Sequence, residues 1–357
     1  MDASATVLTF GEIMMRLSPP DNLRIEQATS FDVRYGGAEA NAALSLAYQG
    51  DRAAYVSVVP ANRLGDCSLR SLAAYGVDIS RVVRAGDRLG SYVFEVGASM
   101  RGNGVVYDRK FSAISRASHT DLAWGSILEG VGVFYVSGVT PAVSEEMALA
   151  TREALAACRE RGIVTVMDVN YRGKMWTPER SQEVMEGLLP FVDVCIANDE
   201  DAPRGLGITC VSGSLDHGIE EREGYVEMAR QISTRFGCKQ VLSVIRNISS
   251  VESSEWMAML YRAEGDDLLP GAVAAGGEHV FSPVYPVHVL EGVAAGDAFS
   301  GAYLHALLHG YDQQRAIDYA IAGSVLKLTI HGDSNLVTED EIAAVAGAAG
   351  GGTRVAR

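Results

Sequence analysis

The sequence predicts an α/β fold, with one mainly parallel sheet covered by helices on both faces and a small second sheet beside it. Three observations predict it. Apolar β-runs alternate with helix-spaced runs from Val133 to Ile245, the rhythm of a parallel sheet with helical crossovers. Two stretches, 15–36 and 91–112, break that rhythm with short β-type segments, so a small sheet lies outside the core. A β-run over Val284–Leu290 then passes through a turn of very small residues into a helix. That helix carries Phe299, Ala302, Tyr303, Ala306 and Leu307 at helical spacing and stops at Gly310.

In chain order, Val7–Glu12 reads as the first strand. A polar excursion over 15–36 follows, with Pro19, Pro20 and an alternating Phe31–Tyr35 run. Gly36-Gly37 opens a helix through Tyr48, which Gly50 ends; Ala53–Val59 is a strand and Leu64–Tyr75 a helix stopped by Gly76. Ser91–Val96 and Gly104–Asp108 form a hairpin with a long turn. The regular part then runs as strand Val133–Ser137, helix Ser144–Arg161, strand Ile163–Asp168, helix Pro178–Leu189, strand Val192–Ala197, helix Ile219–Phe236 and strand Gln240–Ile245. Met257–Tyr261 and His279–Leu290 add late strands, and helices cover Asp312–Leu328 and the segment opening at Thr338. These elements divide the chain into an α/β core (1–14, 37–90 and 113–345), a β-lid (15–36 and 91–112) and a flexible tail (346–357).

The 357 residues are 48% hydrophobic and 21% charged, enough for a sizeable core. The formal charge of −15 argues against nucleic acid as a partner. Five cysteines without a CxxC pair fit reduced thiols in the cytoplasm. No apolar segment spans a membrane and no secretory signal pattern opens the chain. The seven histidines show no metal-ligand spacing and are read as structural.

Ligands of an open parallel sheet sit at the C-terminal ends of its strands. The polar residues there are Glu12, Ser137-Gly138, Asp168-Val169-Asn170-Tyr171-Arg172, Asn198-Asp199-Glu200-Asp201, Arg246 and Asp297. Arg172 suits bidentate capture of a carboxylate or phosphate, or forms a surface pair with Asp168. The three carboxylates at 199–201 suit Mg²⁺ held through water, or cap a helix. Tyr107-Asp108-Arg109-Lys110 ends a lid strand and is either a solvated turn or an anion clamp that closes. At Glu291–Gly301 the amides of a helix N-terminus favour an anion. Asp297 there is a helix cap or a base that takes a proton from an attacking hydroxyl. No GxxxxGK[ST] and no strand-associated GxGxxG occurs, so neither a P-loop nor a dinucleotide fold is indicated.

Together these pieces resemble the ribokinase/PfkB family of carbohydrate kinases over nearly the whole chain. Gly36-Gly37-Ala38-Glu39-Ala40-Asn41 matches the family's early Gly-Gly signature, and Ala294-Ala295-Gly296-Asp297 stands where the family has Gly-Ala-Gly-Asp. The run Asp168–Arg172, with Ser137–Pro141, Trp176–Glu179 and Gly332–Val337, is most similar to the branch acting on 2-keto-3-deoxygluconate. The departures are Glu291-Gly292 in place of Asp-Thr, Ala294 in place of Gly, Asp201 in place of Glu, and Val244–Ser249 in place of a Gly-containing nucleotide strand.

The resemblance implies a ribokinase-like, three-layer Rossmann-like core. It also implies a β-lid that forms a homodimer interface, and ATP-dependent, Mg²⁺-dependent phosphorylation of a sugar hydroxyl, with K⁺ as a further candidate ion. Asp297 is then the base, and the amides of Ala294, Ala295, Gly296 and Asp297 are the anion hole. Glu12, Gly36, Gly37, Asn41, Tyr92, Tyr107 and Asn170 line the sugar site, and Arg109 and Arg172 hold a sugar-acid carboxylate. Asn198, Arg246, Gly296 and Asn335 face the nucleotide, and Glu200 and Asp201 hold Mg²⁺ indirectly. The alternatives are a kinase of the same fold acting on fructose or 5-keto-2-deoxygluconate, and a sugar-acid binding protein with an impaired nucleotide site.

Overall fold

The computed structural model describes residues 3–212 and 217–348. At its centre lies a nine-stranded sheet. From one edge the order is Glu278–Phe281, Ser253–Arg262, Gln240–Ile248, Val194–Ile196, Val164–Asp168, Val131–Ser137, Thr6–Phe10 and Ala53–Val56, with Tyr285–His288 also pairing to Ser253–Arg262. The six strands from Ala53–Val56 to Gln240–Ile248 pair in parallel, and the last three are antiparallel. The first strand shows why these runs are apolar throughout. Val7 joins the core cluster of Phe299, Tyr303 and Ile317, while its neighbours Leu8 and Phe10 join that of Met147, Leu155 and Met228 on the other face. With both faces covered by helices, no polar alternation survives.

A second sheet of four strands runs in the order Asp32–Gly36, Met14–Ser18, Ser91–Glu95, Gly104–Asp108. Both β-type excursions of the sequence thus meet in one sheet. Met14–Ser18 alternates, with Met14, Arg16 and Ser18 buried and Met15 and Leu17 less so. Arg16 therefore occupies the buried phase of a lid strand, its guanidinium 4.3 Å from the Phe94 ring centroid.

Several elements differ from the sequence reading. The expected strand Ala53–Val59 divides at Ser57, because Val58–Val59 leaves the main sheet to pair with Val83–Arg84. His279–Leu290 divides into Glu278–Phe281 and Tyr285–His288 around Pro283, which has no amide hydrogen to give a ladder. Short helices at Ala113–Arg116 and Trp124–Ile127 fall in a stretch to which no element had been assigned. The helix expected from Ile219 starts at Arg222. The last helix, Glu339–Gly347, extends into the expected tail, whose residues 349–357 lie outside the described residues.

Candidate active site

The helix Ala295–Leu308 has no side chain capping its N-terminus. Its first amides have no acceptor one turn back and so face outward as donors. A Cβ added at Gly296 would meet nothing within 4 Å, so the space over these amides is open. The turn reaches the helix through Ala294, whose φ is +63°. That is the left-handed region, which costs an alanine roughly 1–2 kcal/mol relative to the right-handed one. The Ser324 hydroxyl donates to the Ala295 carbonyl at 2.9 Å and holds the turn from the neighbouring helix Gln313–Lys327.

Asp297 lies in the first turn of this helix, half-buried. The Asn41 amide, from helix Ala38–Tyr48, donates to its Oδ2 at 2.7 Å. Burial pushes the Asp297 carboxyl up to about 6, against the opposing pull of Asn41 and the Arg172 charge. A carboxylate with a proton affinity this close to neutrality is suited to general-base work.

Behind the turn lies a buried charge cluster that sequence reasoning missed. Arg16 from the lid strand pairs with Glu291, and with Asp333 at 2.9 Å. Glu291 also accepts from the Gly332 amide at 3.0 Å, and Asp333 from the Tyr92 hydroxyl at 2.7 Å. Burial would raise the Glu291 carboxyl, yet Arg16 and the Gly332 amide hold it below its ordinary value. Lys327 donates to the Ile330 carbonyl at 3.0 Å, and burial lowers its amine to about 8 even though Glu291 and Asp333 pull the other way. The signal in the sequence was Arg16 itself, a charge on the inward phase of an alternating strand. Its partners lie about 300 residues away, beyond any local pattern.

Along the rim, Asp168 ends its strand buried, with Oδ1 unpartnered. Burial, then the charges of Asp201 and Asp297, push its carboxyl far up. Asn170 has φ +42° and its amide donates to Asp168 Oδ2 at 3.3 Å. Arg172 is exposed and donates to the Tyr171 carbonyl at 3.2 Å. Among the described residues it forms no ion pair, although its charge acts on Asp168, Asp201 and Asp297. Arg246 likewise has no carboxylate partner among them and lies 5.7 Å from the Trp256 ring centroid. Asn198 accepts from the Val244 amide at 3.0 Å and so ties two strand ends together.

The two residues expected at Mg²⁺ point apart. Glu200 is exposed and pairs with Arg204 at 3.2 Å, whereas buried Asp201 accepts from the Tyr171 amide at 2.7 Å and the Asn198 amide at 3.2 Å. Asn335 is 1% exposed and its amide donates to Ser45 at 2.9 Å. It is held against helix Ala38–Tyr48, with its Oδ1 left without a partner. Arg109 pairs with Glu12, which also accepts from the Ser112 hydroxyl at 2.5 Å. The two residues expected at the sugar thus satisfy each other. Tyr107 is exposed, 5.8 Å from the Tyr92 ring.

The double glycine has a steric cause. A Cβ on Gly37 would lie 1.9 Å from the Glu12 carbonyl oxygen, and one on Gly36 2.8 Å from Asp333. Beneath them Glu39 is buried, accepting from the Ser137 amide and hydroxyl at 2.8 and 2.7 Å and from the Thr140 hydroxyl at 2.8 Å. Burial raises its carboxyl to about 7 in spite of these bonds.

Comparison with known proteins decides what this geometry belongs to. The family model described as pfkB family carbohydrate kinase matches residues 4–242 and 270–340. The chain belongs to the pfkB family of carbohydrate kinases. A 2-dehydro-3-deoxygalactonokinase of Haloferax volcanii is 34% identical over 342 residues, covering 95% of this chain and 96% of the relative. The crystal structure of a 2-dehydro-3-deoxygluconokinase from Thermotoga maritima is 40% identical with a TM-score of 0.88, covering 97% of this chain and 99% of that one. A pfkB family carbohydrate kinase from Listeria grayi is 31% identical with a TM-score of 0.84, covering 96% and 99%. The fold is therefore ribokinase-like, and the chain is a sugar kinase of a family whose members use ATP.

Among the described residues the site presents open helix-terminal amides and two guanidinium groups, Arg172 and Arg246, that hold no carboxylate. Its buried acidic oxygens, above all the unpartnered Asp168 Oδ1, are hard donors of the kind that suit Mg²⁺. The carboxylates nearest the turn, Glu291 and Asp333, are both held by Arg16. Among the described residues no helix is long and apolar enough to cross a membrane.

Proposed function

We propose that this kinase transfers the γ-phosphoryl group of ATP to a hydroxyl of 2-keto-3-deoxygluconate, giving 2-keto-3-deoxy-6-phosphogluconate. The observation that carries the reading is the pairing of Asp297, raised toward neutrality and held by Asn41, with an unpaired Arg172 whose charge acts on it. A sugar acid brings a carboxylate for the guanidinium and a hydroxyl for the base. A neutral ketose such as fructose leaves Arg172 without a partner. The 40% identical 2-dehydro-3-deoxygluconokinase supports the same reading.

Asp297 takes the proton of the attacking hydroxyl, and the amides of Ala295, Gly296 and Asp297 hold the transferring phosphoryl oxygens. Base assistance is worth about 10²–10⁴ in rate, and positioning supplies much of the rest. Arg172 orients the acid by its carboxylate, with Asn170 and Gly37 at the sugar. Arg109 serves by fixing Glu12, or by releasing it for substrate when the lid closes. Arg246 and Asn198 belong to the nucleotide side. Mg²⁺, when bound through water to Asp168 and Asp201, supplies positive charge at the phosphates. The lid excludes water, and two lids pair in a homodimer through Val33 and Val106, which lie exposed on its outer strands.

The galactonate epimer is the second reading, carried by the 34% identical Haloferax volcanii relative. A substrate panel with both 2-keto-3-deoxy acids, 5-keto-2-deoxygluconate and fructose tests the assignment. Binding of a sugar acid without any binding of nucleotide would instead mark a sensor that has lost the kinase reaction.

A further inference from the structure

We propose that Asp51, His305 and His309 form a binding site for a divalent transition-metal ion of the zinc type, remote from the kinase site. His305 lies in the last turn of helix Ala295–Leu308, and His309, the residue that ends the helix, follows one turn later. Asp51 reaches them from the turn between helix Ala38–Tyr48 and strand Ala53–Val56. Asp51 Oδ2 is 2.8 Å from His305 Nδ1, and Oδ1 is 3.0 Å from His309 Nε2. All three donor atoms lie within 4.8 Å of one another. A tetrahedral shell with zinc bonds of ~2.0–2.1 Å separates its donors by about 3.3 Å, so small side-chain movements admit the ion. The i,i+4 spacing of His305 and His309 is itself a metal-ligand spacing, which the sequence reading passed over, and the third ligand, Asp51, is 254 positions from His305.

The surroundings are those of a ligand set. The second nitrogen of His305, Nε2, faces the Tyr311 hydroxyl at 3.4 Å and Glu339 at 3.7 Å, where a metal-bound imidazole places its outer partner. His305 is fully buried and the Asp51 side chain 3% exposed, while His309 is 33% exposed. Two positions are therefore fixed and the third is open to solvent, leaving room for water as a fourth ligand. The site also stands at the C-terminal end of its helix, where cations are favoured. Two imidazoles with one carboxylate select a borderline ion such as Zn²⁺ over Mg²⁺ or Ca²⁺, which prefer all-oxygen shells. Asp297 is eight residues earlier on the same helix, about 12 Å along its axis. The ion takes no part in phosphoryl transfer. It ties the Asp51 turn to the end of the helix that carries the base.

The test uses chelator-treated full-length protein, with ZnCl₂ as titrant followed by calorimetry and thermal denaturation, and MgCl₂ as control. The wild type is expected to bind one zinc per chain more tightly than its scattered exposed histidines do. Its Tm is expected to rise by a few degrees when zinc exceeds the Kd about 100-fold, with no rise from Mg²⁺. His309→Ala, at a partly exposed position, keeps the fold and is expected to weaken that site at least about 100-fold. Tyr311→Phe, which keeps the ring and removes only the hydroxyl facing the outer nitrogen, is expected to weaken it about 10-fold. Cobalt in place of zinc is expected to give visible d–d absorption in the wild type that His309→Ala lacks. Absence of a zinc-dependent Tm rise in the wild type, or equal zinc affinity and stoichiometry in His309→Ala, would show a hydrogen-bonded His–Asp–His cluster and overturn the proposal.

Discussion

Asn41 donates to Asp297 across 2.7 Å and joins the helix behind the double glycine to the helix behind the anion turn. The two motifs at opposite ends of the chain thus meet in one hydrogen bond. Its energetic sense is defined: the bond favours the ionised carboxyl against the burial that raises it.

The acid limb of kcat/KM follows from this bond. Asp297 must be ionised to accept a proton, so activity falls as pH drops through about 6. Asn41→Ala removes a bond to the charged form and moves that limb to higher pH. A pH–rate profile of the two proteins checks it; coincident limbs would detach the limb from this pair. Asp297→Asn is expected to lower kcat about 10²–10⁴-fold with little change in substrate affinity.

The strain at Ala294 gives a second expectation. With φ at +63°, Ala294→Gly relieves roughly 1–2 kcal/mol of backbone strain and returns part of it as added freedom of the unfolded chain. A net gain of up to about 1 kcal/mol is expected in denaturant unfolding, with turnover retained. Ala294→Val, β-branched at the same angle, is expected to lose both stability and activity.

Arg16 holds Glu291 and Asp333 in a water-poor cluster. Arg16→Met leaves two buried carboxylates without their guanidinium and is expected to cost about 3–5 kcal/mol. Adding Glu291→Gln and Asp333→Asn to Arg16→Met should recover part of that loss, because uncharged amides are cheaper to bury. Urea unfolding of the two variants measures the difference.

Glu39 carries a pH-dependent part of the stability. Its carboxyl is raised from an ordinary 4.5 to about 7 in the folded protein. The native state therefore keeps the proton more tightly than the unfolded chain does. That contribution is full below 4.5 and is lost as pH rises through 7. Glu39→Gln can still accept the three bonds at one oxygen and does not titrate, so it is expected to flatten the dependence of Tm on pH between about 5 and 7. An unchanged slope would place the titrating group elsewhere.

The parallel sheet, the two lid excursions and the small-residue turn were legible because each is a local pattern: apolar runs, β-type breaks and a strand-to-helix turn. The rim followed, since strand ends carry their own polar residues. What was not legible is contact between distant segments. Nothing near Arg109 shows that it pairs with Glu12, and nothing near Asn335 shows that it turns inward to Ser45. The Arg16 cluster was hidden for the same reason. Glu291, met first as a departure from a family pattern, becomes intelligible only beside the guanidinium it pairs with.

The most direct measurement is ADP release by the full-length enzyme, wild type and Arg172→Ala, with 2-keto-3-deoxygluconate, 2-keto-3-deoxygalactonate, 5-keto-2-deoxygluconate and fructose as acceptors. Wild-type kcat/KM is expected to be highest for 2-keto-3-deoxygluconate, and Arg172→Ala is expected to raise KM for the acids at least about 10-fold, as loss of a charged hydrogen bond of ~1.5–3 kcal/mol requires, with fructose unaffected. Preferred turnover of fructose, or an equal effect of Arg172→Ala on acid and neutral sugars, would contradict the assignment of this chain as a sugar-acid kinase.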